Sequence, residues 1–417
     1  MHPEVLEKCR QARKASKILA NTSTTIKNKA LEKIAVSLEK SKKEIIEANK
    51  KDLERLESED HYTDAFHDRL MLNESRIAET AEGLRGIADL DDPVGEVIKM
   101  WKRPNGLEIG QVRVPIGVIA IIYEARPNVT VDAGGLALKA GNAVILRGSS
   151  EALNSNRALI KVIRQSLSAI ELPGDAIALI EDTDRSAAFD LMQADRYLDL
   201  LIPRGGQSLI NAVVENSTVP IIQTGTGNCH TFVDYNADLD KAVAITVNAK
   251  VQRPGVCNAL ETLLVHKDIA PRFLPKMLPA LTKLGVEIRG CPETQTYLPD
   301  IKPATGQDWE TEYLDLVLAV RVVENLDRAI DHINQYGTGH SEAIITDSYD
   351  HSRTFMARVD AAAVYVNAST RFTDGSAFGL GAEMGISTQK LHARGPMGLE
   401  ALTTLKYIIY GSGQVRE

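Results

Sequence analysis

The sequence predicts an α/β protein of two doubly wound α/β domains plus a β-hairpin flap, and three observations carry that expectation. Short apolar runs rich in β-branched residues alternate with longer helical patterns over two successive stretches. The 417 residues are about twice the content of one compact domain. Between an all-helical beginning and the first strand series stands a hairpin signal, Pro104-Asn105-Gly106, flanked by alternating runs.

Residues 1–58 read as helices. After the stretch "NTSTT", where Ser23 to Thr25 are capping candidates, Ile26, Ala30, Leu31, Ile34 and Leu38 recur at helical spacing among lysines, so one apolar stripe must pack on a neighbour. Residues 59–92 continue as helix with more acidic composition. Residues 95–115 form the hairpin, inserted before the main sheet. Strands follow at "GVIAIIY" (117–123), "NAVILRG" (142–148), "DAIALIE" (175–181), "YLDLLIP" (197–203) and "VPIIQTG" (219–225), separated by helical segments. Five strands with crossover helices make a parallel, doubly wound sheet, the architecture that takes nucleotides at strand carboxyl ends. A second series starts near 231, with strands at "ETLLVH" (261–266), "VEIRG" (286–290), "LVLAVRVV" (316–323), "SEAIIT" (341–346) and "AAVYVNAS" (362–369). The tail "TTLKYIIYG" reads as an apolar strand with an open edge, to pair with the 95–115 hairpin or with another subunit; a homodimer or homotetramer is the expected state.

Composition narrows the function. Hydrophobic residues make 44% and charged residues 25% of a chain with net charge −8, and its cations are spread along helices, which argues against a nucleic-acid partner. No apolar window reaches the roughly 18 residues of a membrane helix, and "MHPEVLEKCRQARK" lacks a signal peptide's apolar run, so a cytoplasmic protein is expected. Cys9, Cys229, Cys257 and Cys291 are widely spaced without a Cys-x-x-Cys pair, and the nine histidines show no His-Glu-x-x-His. Neither a disulfide framework nor a structural metal is expected.

One cysteine has a distinctive setting. In "VQRPGVCNAL", Pro254 and Gly255 force a bend just before Cys257, and Asn258 and Ala259 after it are small. A thiolate presented from such a turn can attack a carbonyl, with its own backbone N–H holding the oxyanion. A buried structural thiol is the plain alternative for the residue type.

The stretches "VQRPGVCNALETLLVH", "YEARPNVTVDAGGLALKAGNAVILRGSSEA" and "VYVNASTRFTDGSAFGLGAEMGISTQKLHARGPMGLEALTT" together resemble the aldehyde dehydrogenase superfamily, in a branch that serves proline biosynthesis. The likeness runs from about residue 10 to 410. It implies an aldehyde dehydrogenase-like fold: residues 1–94 and 116–230 as cofactor-binding domain, 231–400 as catalytic domain, and 95–115 with 401–417 as oligomerisation flap. It implies NADPH-dependent reduction of L-glutamyl 5-phosphate to L-glutamate 5-semialdehyde through a Cys257 thioester, with a glutamate 5-kinase as possible partner. A coenzyme A-acylating dehydrogenase, or an inactive nucleotide-binding scaffold of the same fold, are the rival readings.

The resemblance also assigns residues. Asn128, in "EARPN", takes the place of the superfamily's oxyanion-donating asparagine; a turn asparagine satisfying its own backbone is the alternative. Where hydrolytic members carry a water-activating glutamate, this chain has Gln223 or Thr224, which protects a thioester from hydrolysis. Arg147, Ser149 and Ser150 stand where the adenosine ribose is expected; a guanidinium with hydroxyls suits a 2′-phosphate, although a one-residue shift brings Glu151 into the same position. Gly205 and Gly206 suit a pyrophosphate at a helix start or simply a tight turn. Glu312 and Leu314 match the nicotinamide-ribose segment. Ser369, Thr370 and Arg371 are expected on the substrate carboxylate and Arg126 on the leaving phosphate, or the arginines bridge domains instead. His392 and Arg394 belong to the signature without an assigned role.

Overall fold

The computed structural model describes residues 1–57 and 63–416. Positions 58–62, inside the stretch read as helical, and residue 417 of the tail lie outside the described residues. The chain forms two compact units, 1–224 with 379–385 and 397–417, and 225–378 with 386–396.

The first unit begins with five helices, α1 (Pro3–Leu19), α2 (Thr24–Lys40), α3 (Lys42–Glu57), α4 (Asp64–Leu70) and α5 (Glu74–Asp89). The α2 stripe behaves as its spacing requires, with Ala30, Leu31, Ile34 and Leu38 buried, while Ile26 at the helix start stays exposed. Ser23 takes the N-cap position of α2 but makes no capping bond.

Strands β1 (Val97–Lys102) and β2 (Glu108–Pro115) form the expected hairpin, and Gly106 at φ +92° supplies the turn. The C-terminal strand, Thr403–Tyr410, pairs antiparallel with β2 along its whole length. This settles the tail's partner: β2 is the central strand of a three-stranded sheet.

The remaining elements of the unit are β3 (Val118–Tyr123), α6 (Pro127–Lys139), β4 (Ala143–Arg147), α7 (Leu153–Ser168), β5 (Ile177–Leu179), α8 (Arg185–Met192), β6 (Leu200–Arg204) and α9 (Gln207–Asn216). The four strands are parallel in the order β5-β4-β3-β6. All six residues of β3 are buried, as expected of a strand covered on both faces.

The fifth expected strand, 219–225, is not one. It makes a single parallel bridge, with the Leu201 N–H donating to the Pro220 carbonyl and the Ile222 N–H to the Leu201 carbonyl. The next ladder bond would need an N–H on Pro203, which proline lacks. The Thr224 hydroxyl instead donates to the Pro203 carbonyl at 2.8 Å.

The second unit holds β7 (Cys229–Val233), α10 (Leu239–Val251), β8 (Leu260–His266), α11 (Ala270–Lys283), β9 (Glu287–Gly290), α12 (Pro292–Gln295), β10 (Lys302–Pro303), β11 (Val317–Val323), α13 (Leu326–Tyr336), β12 (Ser341–Ile345), α14 (Tyr349–Arg358) and β13 (Ala363–Val366). These strands form one parallel sheet, β10-β9-β11-β8-β7-β12-β13. All five expected strands are present. The sequence reading missed β7, an inner strand, because "CHTFV" carries two adjacent polar side chains, His230 and Thr231, where a buried strand usually shows an apolar run. Its His230 meets the buried Glu342, with Nδ1 3.1 Å from the carboxylate. The short pair β14 (Ile386–Ser387) and β15 (Gly395–Pro396) closes the loop that carries His392. The tail strand, Thr403–Tyr410, is accordingly β16.

Candidate active site

Cys257 occupies the turn between α10 and β8. Helix α10 cannot continue through Pro254, which lacks an N–H and disfavours helical geometry at Arg253. The Ala259 N–H closes on the Val256 carbonyl at 3.0 Å, leaving Cys257 half-buried at the bend. Beneath it lies Cys229 at the start of β7, fully buried, whose Sγ–H donates to the Cys257 carbonyl at 3.2 Å. Burial pushes the Cys229 thiol well up, so it stays protonated as a donor. Gly227 is closer still: a Cβ there would stand 1.4 Å from the Cys257 carbonyl oxygen, so no side chain fits.

The following residue anchors the turn. The Thr370 hydroxyl donates to the Asn258 carbonyl at 2.8 Å, and the Asn258 amide donates to the Thr373 carbonyl at 2.9 Å. The structure therefore brings 369–371 beside the nucleophile's turn. Two of the three side chains already serve the fold: Ser369 and Thr370 are buried, and the Ser369 hydroxyl accepts the Arg371 N–H at 3.3 Å. Arg371 is half-buried and donates from Nε to Gln252 at 2.9 Å. Burial and neighbouring Arg253 lower its pKa, while Asp374, Cys257 and Cys229 pull it back up.

Glu312 and Leu314 meet the same loop. The Gly227 N–H donates to the Glu312 carboxylate at 2.6 Å, and burial pushes that carboxyl up. Leu314 stands at φ +54°, a strained conformation for a leucine, and its N–H donates to Glu261 at 3.2 Å. Glu261 in turn pairs with Lys250 at 2.6 Å, both fully buried. Burial pushes the Glu261 carboxyl up to about 7 against the pull of the Lys250 ammonium.

In the first unit the expected cofactor residues fall at the carboxyl ends of β4 and β6, the two strands that flank β3. Arg147 ends β4; its Nη2 donates to the Thr183 carbonyl at 3.0 Å, while its buried Nε–H has no acceptor among the described residues. Such an orphaned donor at a strand carboxyl end fits an anionic ligand oxygen. Ser149 and Ser150 border it, and so does Glu151. Burial pushes the Glu151 carboxyl up, and the Ser149 hydroxyl, its own backbone, Arg55 and the Ser150 hydroxyl more than offset that. Gly205 and Gly206 follow β6, and Gly206 caps α9. Here a carboxylate is already in place: the Gly206 N–H donates to Glu124 at 2.9 Å, and a Cβ on Gly205 would meet the Glu124 carboxyl carbon at 2.7 Å. A side chain at Gly205 would thus crowd Glu124, whereas one at Gly206 would meet it only at 3.5 Å.

Arg126 is the N-cap of α6, with its N–H on the Glu124 carbonyl at 2.7 Å. Asn128, in the first turn of α6, is exposed and donates from Nδ2 to Asp132 at 3.1 Å.

The aldehyde dehydrogenase family model matches residues 2–297 and 307–408. The chain belongs to the aldehyde dehydrogenase family. It is 61% identical over 414 residues to the gamma-glutamyl phosphate reductase of Moorella thermoacetica, covering 99% of each chain, and 61% identical over 413 residues to that of Carboxydothermus hydrogenoformans, with the same coverage. Its fold superposes on the crystal structure of gamma-glutamyl phosphate reductase from Thermotoga maritima with a TM-score of 0.97 at 54% identity, covering 99% of this chain and 100% of that one. An acetylating aldehyde dehydrogenase from Geobacillus thermoglucosidasius shares the fold alone, with a TM-score of 0.72 at 16% identity over 99% of this chain and 98% of that one.

An aldehyde dehydrogenase-family reductase works with a nicotinamide cofactor, and the orphaned Arg147 Nε–H is the feature of this chain that fits its phosphate-bearing half. Residues 217–228 contain no Asp or Glu, and Thr224 is buried on Pro203. Sequence reading overlooked Gly227, Cys229, Asp132 and the Lys250–Glu261 pair. The run "TGTGNCH" offered a signal for the first two, since a glycine so close to a cysteine marks close backbone approach. Arg394, left without a role, pairs with Asp360 at 2.7 Å beside Lys390, clamping its loop, and His392 sits at φ +64° in that loop. Among the described residues the one group with metal-ligand spacing is His2, Glu4 and Asp182, and Glu4 is committed to the Glu181 and Asp182 N–H groups at 2.8 and 3.0 Å.

Proposed function

We propose that the chain reduces L-glutamyl 5-phosphate to L-glutamate 5-semialdehyde and phosphate, the reaction named by its relatives and a step of proline biosynthesis. The observation that carries this reading is a half-buried cysteine on a glycine–cysteine floor in a chain with no carboxylate over 217–228. The Cys257 thiolate attacks the acyl carbon, and the carbon–oxygen bond to phosphate breaks with the electron pair leaving on phosphate. The Cys257 N–H and the Asn128 side chain donate to the oxyanion, each contributing about 3 kcal/mol to the transition state. With no Asp or Glu over 217–228, that segment offers no carboxylate to activate water against the resulting thioester. The reduced nicotinamide, when bound, supplies the hydride that converts this thioester to a thiohemiacetal. The oxyanion of that thiohemiacetal re-forms the carbonyl, the carbon–sulfur bond breaks, and the aldehyde leaves with Cys257 again a thiolate.

In this reading the cofactor is NADPH, with the 2′-phosphate on Arg147, Ser149 and Ser150, the pyrophosphate at Gly205 and Gly206, and the nicotinamide end at Glu312 and Leu314. In this reading the first unit carries the adenosine and pyrophosphate end of the cofactor, and the second carries the nucleophile. Arg371, with Ser369 and Thr370 shaping its turn, takes the substrate carboxylate, and Arg126 the leaving phosphate. The enzyme works in the cytoplasm as a homodimer or homotetramer, joined through the flap of 95–115 and 401–417, where Met100, Leu405, Tyr407 and Ile409 are exposed. A glutamate 5-kinase supplies its substrate.

The test is the reverse reaction: NADP⁺ reduction by glutamate 5-semialdehyde, in equilibrium with its cyclic imine, with and without inorganic phosphate. Strict phosphate dependence is expected. Equal rates without phosphate would mean that water completes the reaction, and the reading would fail.

A further inference from the structure

The reaction centre as described has groups for a carboxylate and a phosphate but none for the ammonium group of an amino-acid substrate. One acid in the first unit stands beside Asn128. Asp132 lies one helical turn beyond Asn128 on α6 and accepts the Asn128 amide at 3.1 Å through one oxygen. Among the described residues no lysine, arginine or histidine pairs with its carboxylate, and Arg204 acts on it only at longer range. Asp132 is half-buried and stands sixth in a helix that begins at Pro127, too deep for the positive helix end to hold its charge. Burial accordingly pushes its carboxyl up to about 6, with Asn128 and Arg204 offsetting only part of the effect.

Orienting an asparagine amide needs only a neutral acceptor, and a full negative charge kept half-buried without a counter-charge is a costly way to do it. The charge is accounted for if its counterion arrives with the ligand. In a γ-activated amino acid the ammonium nitrogen is four bonds from the reacting carbon, about 5 Å away when extended. With the carbonyl oxygen on one N–H of the Asn128 amide, and the other N–H on Asp132, that distance places the ammonium group within reach of the carboxylate. We propose that Asp132 is the specificity residue that binds the α-ammonium group of the substrate while holding Asn128 toward the acyl oxygen. This rests on the acyl-phosphate reading above and on the role given there to Asn128.

The test compares two aldehydes in the reverse assay: glutamate 5-semialdehyde and its desamino analogue, glutarate semialdehyde. Asp132→Asn retains an acceptor for the Asn128 amide and removes the charge. The ratio of kcat/KM for the amino over the desamino aldehyde is expected to fall about 30-fold in this variant, the effect of losing one hydrogen bond between charged groups. Asp132→Ala, which also releases Asn128, should lower kcat for both aldehydes in addition. An unchanged ratio in Asp132→Asn overturns the proposal, whether both substrates lose equally or neither does, because Asp132 then acts on Asn128 alone. Failure of the underlying reading looks different: the unmodified enzyme would show no phosphate-dependent turnover of either aldehyde.

Discussion

Gly227→Ala should inactivate the enzyme through the backbone of its nucleophile. The added methyl would stand 1.4 Å from the Cys257 carbonyl oxygen, 2.3 Å from its carbonyl carbon and 2.8 Å from its Cα, about 2 Å short of ordinary contact. None of these atoms is the end of a flexible side chain, so the strain relaxes only if the Cys257 turn moves. A 1 Å misplacement of a reacting group can cost about 100-fold in rate, so a loss of kcat of at least about 100-fold is expected. The same clash disturbs the Gly227 N–H bond to Glu312 and the Cys229 bond to Cys257, and a stability loss of about 1–3 kcal/mol should accompany it. Gly255→Ala, two residues before the cysteine, is the internal control. Its methyl would meet only the Leu314 carbonyl oxygen at 3.6 Å, an ordinary contact. Phosphate-dependent NADP⁺ reduction measures the rate and urea denaturation the stability. A folded Gly227→Ala enzyme with kcat within a few-fold of the unmodified protein would refute the reasoning, as would a Gly255→Ala enzyme equally dead.

Three further outcomes follow from the same geometry. Lys250→Met removes one half of a fully buried ion pair and should destabilise the protein by about 3–5 kcal/mol in urea unfolding; adding Glu261→Gln should recover part of that, since the stranded carboxylate carries the cost. Arg147→Ala should raise KM for NADPH by about tenfold or more while changing that for NADH much less, measured as paired cofactor titrations. The kcat/KM advantage of the unmodified enzyme over Asp132→Asn for glutamate 5-semialdehyde should be small at pH 5, grow as pH rises through about 6, and level off above 7. Asp132 is ionised only on the alkaline side of that range, with Asn128 and Arg204 its polar neighbours; a flat ratio across the series would contradict this.

Much of the molecule was legible from residue order alone, because its determinants are local. The Asn105-Gly106 turn specifies a hairpin through the positive φ that glycine accepts, and the buried runs at 118–123, 143–147 and 260–266 announce strands covered on both faces. Pro254 and Gly255 mark the bend that presents Cys257, and the missing carboxylate over 217–228 speaks for a thioester kept from water. What required tertiary structure is what depends on residues distant in sequence. Strand β7 is polar in composition and becomes an inner strand only because His230 finds Glu342 across 112 residues. The run 219–225 looks like a strand, yet its ladder stops after one bridge because the facing residue on β6 is Pro203. Gly227 and Cys229 support a carbonyl 28 or more residues away, and Glu124 occupies the α9 start that the Gly205-Gly206 pair advertised. Local conformation is written in side-chain shape and backbone freedom over a few residues; the partner of each buried polar group is chosen only when the chain closes on itself.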